Sequence, residues 1–140
     1  MASFLAQILF AVTVITAAGG EVPEGAGTLP PSAVREAPVA VAIGAVVLAP
    51  FAEELFFRGL LLQGLWRSFG RWPAILVSAA IFGLAHIGPS LLGSVLSVGS
   101  GVVAGVALGW AFSRSENLAV SVVAHGTINA VALLLTTAAG

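Results

Sequence analysis

Apolar residues run along this chain in long stretches broken by short clusters of glycine, proline and charge. The runs are far longer than the strands or half-buried helices of a water-soluble domain, and their length predicts helices that cross a bilayer. The first run, Ser3 to Ala18, is interrupted only by Gln7 and small hydroxyls. With no basic residue before Arg35 it reads as a retained first helix rather than a cleaved leader. A loop rich in glycine, proline and glutamate fills positions 20 to 38. The second run, Val39 to Leu65, is about 27 residues, or roughly 40 Å as a helix, against a hydrocarbon core of about 30 Å. It must tilt, kink or protrude, and Pro50 supplies a kink point. Trp66, Arg67, Arg71 and Trp72 predict an interfacial break. Pro73 opens a third helix to about Ile87, Leu91 to Phe112 is a fourth, Ser113 to Asn117 a polar turn, and Ala119 to Ala139 a fifth. The predicted fold is an all-α, polytopic transmembrane helix bundle of about five membrane helices. A unit of residues 1–38, the first helix and its loop, precedes a core of residues 39–140.

Composition sharpens that picture. Of the 140 residues 59% are hydrophobic and 8% charged, and the mean hydropathy is +1.09. Five Arg and six Glu cannot give a globule of this size a solvated shell, so a soluble enzyme is excluded. A net charge of -1 leaves no basic footprint for nucleic acid. The absence of cysteine removes disulfides and thiolate metal sites. Arg67, Arg71 and Arg114 mark loops two crossings apart, hence one side of the membrane, which the positive-inside rule makes cytoplasmic. The N-terminus is then expected inside and the C-terminus outside.

Against this background the polar residues inside the apolar runs need a reason, since each charge at mid-membrane costs about 2.5–3.5 kcal/mol on insertion scales. Counting helical rise from the nearest arginine places Glu53, His86, His125 and Asn129 all roughly 20 Å deep, on three different helices. The motif helices are therefore expected to converge on one buried site, open toward the Arg67 and Arg71 side. Glu54 and Arg58, at i and i+4, share a face and can neutralise each other, whereas Glu53 lies 100° away and stays free. His125 and Asn129 share a face in the same way. A free carboxylate, two imidazoles and an amide make a set capable of hydrolysis, with a base for water and donors for an oxyanion. A structural role stands beside each functional one: a neutralised ion pair for Glu54 and Arg58, interhelical glue for Asn129, core packing for Phe82. Gly101, Gly105 and Gly109 in the fourth helix form a small-residue stripe suited to close helix packing.

The same residues resemble a known family. Glu53-Glu54-Leu55-Phe56-Phe57-Arg58 fits EExxxR, Phe82 to His86 fits FxxxH, and His125 to Asn129 fits HxxxN. In this order within apolar helices they are similar to the CPBP family of CAAX prenyl protease-like and bacteriocin-processing intramembrane proteases, also called Abi. The resemblance covers about Ala45 to Leu135. It implies an intramembrane endopeptidase acting on membrane-associated or hydrophobic peptides, CAAX-type prenylated ones included, in a multi-pass protein of the bacterial cytoplasmic membrane. Glu53 would be the catalytic carboxylate and His86 its partner on the attacking water, His125 and Asn129 the oxyanion hole, and Glu54 with Arg58 supporting. Members are described both as metalloproteases and as metal-independent glutamate proteases. Zinc or another divalent metal on Glu53, His86 and His125 therefore stays open, as does a site without metal. The expected partners are a hydrophobic or lipidated peptide and the bilayer, with no nucleic acid and with the oligomeric state undetermined. A non-enzymatic immunity or binding protein is the alternative. A proton or ion path is disfavoured, because the polar groups cluster at one depth instead of lining a route.

Overall fold

The computed structural model describes residues 36–88 and 90–138. The predicted first helix, Ser3 to Ala18, lies outside the described residues. The remaining four predicted helices are all present, and no strand occurs among the described residues. They are α1 (Pro38–Phe69), α2 (Arg71–Leu84), α3 (Leu91–Ser115) and α4 (Leu118–Ala138). Three of them, α1, α3 and α4, are long and apolar enough to cross a membrane, and α2 is a shorter apolar helix of 14 residues. Large apolar side chains such as Val47, Phe51, Phe56 and Leu60 on α1 and Leu134 on α4 point outward, which suits a lipid surround and not water.

The interfacial break between α1 and α2 is narrower than the cluster of tryptophan and arginine suggests. Helix α1 continues through Trp66 and Arg67 to Phe69, and the chain reverses at Gly70 alone, whose φ of +81° only glycine adopts without strain. Both residues are compatible with helix, their long side chains reaching the interface from within it, and the Arg71 guanidinium lies 5.9 Å from the Trp66 ring. Helix α3 likewise runs past Phe112 to Ser115. The Ser113 and Ser115 hydroxyls bond back to the carbonyls of Trp110 and Ala111, and Glu116 in the left-handed region ends the helix.

Helix α1 answers its excess length with two π-helical segments, Gly44–Leu48 and Leu55–Leu62. The first has a cause in the sequence. A proline has no N–H and its ring crowds the carbonyl at i−4, here Val46. The turn before Pro50 widens instead, and the Ala49 N–H bonds to the Gly44 carbonyl, five residues back. In that register the Ala45 carbonyl would look to residue 50 for a donor, and proline offers none. The Asn129 amide of α4 takes the place, donating to that oxygen at 2.8 Å.

Helices α2 and α3 form an antiparallel pair at close range. A Cβ built on Gly83 would meet the Val98 carbonyl oxygen at 2.7 Å, one on Gly101 the Gly83 Cα at 3.0 Å, and one on Gly105 the Ala79 Cα at 2.8 Å. The glycine stripe is thus a packing device, as expected from its spacing. Gly83 faces Gly101, Ala79 faces Gly105 and Ile75 faces Gly109, so each step of four along α2 is a step of four back along α3. By that register α2 ends opposite about Ser100, and Leu91 to Gly99 extend about 13 Å past its last helical turn, flanked by the chain that leaves α2. Two core clusters fill the bundle on the arginine side of this step. One joins Phe57, Phe82, Ala104 and Leu108, and the other Leu62, Ala74, Ile75 and Phe112.

Candidate active site

The polar groups named from the sequence meet just where α2 stops. Glu54 and Arg58 are both wholly buried, and Arg58 Nη1 donates to Glu54 Oε1 at 2.7 Å. The i, i+4 pairing expected for Glu54, and not Glu53, is the one observed. The second guanidinium nitrogen of Arg58 donates to the Gly105 carbonyl of α3 at 3.2 Å. Gly105 was visible in the sequence only as a packing position; no side-chain pattern reveals that its carbonyl serves as an acceptor. Arg58 also lies with its guanidinium carbon 4.8 Å from the Phe82 ring centroid, within cation–π range.

Phe82 does more than fill the core. Its ring is 4.7 Å from that of His86 and 5.5 Å from that of His125, and it meets Phe57 edge-on at 4.9 Å. Both imidazoles and the arginine therefore gather around one aromatic ring. Its carbonyl also faces His86 Nδ1 at 2.7 Å. The i, i+4 spacing of Phe82 and His86 was the available signal; the contact to His125 comes from a residue 43 positions away and was not.

The ring nitrogens fix the tautomers. A carbonyl can only accept, so His86 carries its proton on Nδ1. His125 Nδ1 lies 2.9 Å from Glu54 Oε1, an oxygen already held by Arg58, so this nitrogen too is the donor. In the neutral rings both Nε2 atoms are then acceptors. They point at the same atom, Glu53 Oε2, from 3.9 Å (His86) and 3.8 Å (His125). That oxygen is buried and has no hydrogen-bond partner among the described residues. The Glu53 side chain as a whole is 32% exposed and that of His86 23%, against 6% for His125, so Glu53 and His86 form the accessible floor and His125 its deeper wall.

Asn129 is placed differently. It sits one turn beyond His125, but one amide hydrogen is committed to the Ala45 carbonyl, so the glue reading of this residue describes the contact seen. The opening also differs from the expectation. Toward Arg67 and Arg71 the bundle is filled by the two core clusters beneath Phe82, and the site lies level with the end of α2 at Leu84.

Two histidines, each with its other nitrogen held by a carboxylate or carbonyl, follow the outer-shell pattern of metal ligands. The separations do not follow it as well. Ligands about 2.0–2.1 Å from a tetrahedral zinc stand about 3.3 Å apart, and Glu53 Oε2 is 3.8 and 3.9 Å from the two nitrogens. Among the described residues no three His, Cys, Asp or Glu side chains are grouped so as to hold a metal ion.

Fold and site together define a class: a multi-pass helical membrane protein with a carboxylate and two oriented imidazoles brought together within its helical bundle. Comparison with known proteins gives the family. The family model described as type II CAAX prenyl endopeptidase Rce1-like matches residues 35–131, and the chain belongs to this family of CAAX-type membrane endopeptidases. No curated protein and no solved structure matches it.

Proposed function

We propose that this chain cleaves peptide bonds in hydrophobic or lipidated peptides, with Glu53 as general base. The observation that carries the proposal is the approach of two imidazole nitrogens, from two different elements, to one carboxylate oxygen. A water molecule entering there can give one hydrogen to Glu53 and is oriented by a second bond to His86 Nε2. As its oxygen attacks the peptide carbonyl, Glu53 takes the proton, and then passes it to the departing amine. The negative charge that develops on the carbonyl oxygen needs a donor. His125 supplies it when Nε2 is protonated, an imidazolium that Glu54 Oε1 balances from the other side. Asn129 contributes through the placement of α4, and its second amide hydrogen remains for the oxyanion.

The substrate class rests on the family and on the surface. Between α1 and α4 lies a groove of about 490 Å³ lined by Val46, Phe51, Val123, Gly126, Ala130 and their neighbours. Its almost wholly apolar walls suit a hydrocarbon chain. The reading needs no metal.

The test is cleavage of a quenched fluorescent farnesylated CAAX-type peptide by purified protein, with and without chelator. Glu53→Gln should abolish cleavage and leave the melting temperature unchanged, and chelator should have no effect. Full cleavage by the Gln variant would end the assignment of the base. Loss of activity on chelation, restored by zinc, would replace the metal-free mechanism with one in which Glu53, His86 and His125 hold the ion. If the wild-type chain bound the peptide without cutting it, the immunity or binding role would take over.

A further inference from the structure

We propose that Ser94, at the start of α3, is a positioning residue for His86; the inference rests on the hydrolytic reading above. His86 is not on a helix. It occupies the turn after α2, in which the hydrogen bonds tighten: Ala85 N–H reaches the Ile81 carbonyl four residues back, but His86 N–H goes to Gly83, three back. The Phe82 carbonyl, which the His86 N–H would take in a continuing α-helix, is left for another donor. His86 fills the place with its own ring, Nδ1 lying 2.7 Å from that oxygen. The imidazole thus caps the helix that carries it. Its tautomer, and the aim of Nε2 at Glu53, last only while the turn stays tight.

Within the turn it is held by the His86 bond and by one longer one, Ile87 N–H to the Leu84 carbonyl at 3.3 Å. Two residues on, Gly88 has no side chain to anchor the chain. Its backbone is held from α3: Ser94 Oγ accepts from Gly88 N–H at 3.1 Å and donates to the Gly88 carbonyl at 2.9 Å. One hydroxyl satisfies both polar groups of the residue and fixes the path by which the chain leaves α2. The Ser94 N–H is occupied by the Ser90 carbonyl at 2.8 Å, which seats Ser94 in the first turn of α3. Without the hydroxyl, the turn can rewind by one bond. His86 N–H then takes the Phe82 carbonyl, the ring loses its Nδ1 acceptor, and either nitrogen can carry the proton. A hydroxyl at position 94 is needed for this, whereas a side chain that only filled space would serve equally well if the role were packing.

The chain has two histidines, so ring-nitrogen NMR of protein labelled with ¹⁵N-histidine reports on His86 and His125 alone. Wild type should show both rings protonated at Nδ1. Ser94→Ala and the nearly isosteric Ser94→Cys should convert the His86 signals to a mixture of tautomers, leave those of His125 in place, and be reversed by Ser94→Thr. On the farnesylated peptide kcat should fall on the order of tenfold to a hundredfold with KM unchanged. His86 signals that stay as in wild type in a folded Ser94→Cys protein overturn the proposal, as does a change that affects both histidines equally. The spectroscopic result stands apart from turnover. A selective change at His86 in a protein whose wild type cuts no peptide upholds the positioning role and counts against the peptidase, while cleavage with an unmoved His86 does the reverse.

Discussion

Glu53 and Glu54 are neighbours with opposite surroundings. Glu54 is wholly buried and its Oε1 accepts from both Arg58 and His125, while Glu53 keeps a partly open side chain with no such pair; each carries one buried oxygen, Oε2, without a partner among the described residues. Removing one member of a buried ion pair leaves the other charge uncompensated, at about 3–5 kcal/mol. Glu54→Gln is therefore expected to lower the melting temperature and the folded yield, read from tryptophan fluorescence in detergent. Arg58→Lys should do nearly the same, because one nitrogen on a shorter head cannot occupy both positions from which Nη1 and Nη2 reach Glu54 and the Gly105 carbonyl, and it lacks the flat face that lies over Phe82. A Lys variant as stable as wild type would show that the second bond and the ring contact contribute little. At this scale the sequence was informative wherever both partners were side chains on one helix: the i, i+4 rule separates Glu54 from Glu53. It was silent where the partner is a backbone carbonyl. The acceptors at Gly105, Ala45 and Phe82 carry no residue-type signature, and so neither the second bond of Arg58 nor the bond of Asn129 could be read in advance.

At the scale of elements, proline and asparagine 79 positions apart act as one device. Pro50 withholds the donor, the π segment before it shifts the register, and Asn129 supplies what the Ala45 carbonyl lacks. Asn129→Ala should cost about 1–3 kcal/mol for the stranded acceptor. In a Pro50→Ala background a backbone N–H is available at position 50 and the same truncation should cost less. A double-mutant cycle by thermal or denaturant unfolding measures that coupling; strict additivity would separate the two residues. The sequence marked Pro50 as a kink, since proline in a helix is unambiguous, but a π segment has no comparable signature. Helix starts and ends were legible to within a few residues. The larger differences fall at Trp66 to Phe69 and Ser113 to Ser115, where arginine, tryptophan and serine serve helix and loop equally well, and after Leu84, where the helix expected to reach Ile87 tightens into a turn that leaves His86 outside it.

For the whole molecule, depth was legible and direction was not. Helical rise from the arginines brought Glu53, His86 and His125 to one level, and they meet there. Which end the site faces depends on where α2 stops and what fills the bundle below it, and these are properties of packing. A charged methanethiosulfonate reagent applied to oriented proteoliposomes should modify Glu53→Cys from one face and Ser68→Cys from the other; modification of both from the same face would contradict the sealed core between them.

The short second helix has a consequence for how the protein enters a membrane. At about 21 Å, α2 cannot cross a hydrocarbon layer of about 30 Å, and the turn that follows would bring bare peptide groups into lipid. Among the described residues, the N–H groups of His86 and Ile87 are satisfied by carbonyls of α2, and both polar groups of Gly88 by Ser94. A nascent chain that has emerged as far as His86 thus has no stable place in the bilayer. Helices α2 and α3 must be inserted together as a hairpin, and a ribosome-bound chain halted before α3 should leave α2 unintegrated, accessible to protease. The paired imidazole and carboxylate of the site come into being only after that joint insertion, so a protein stalled at the translocon carries no assembled site.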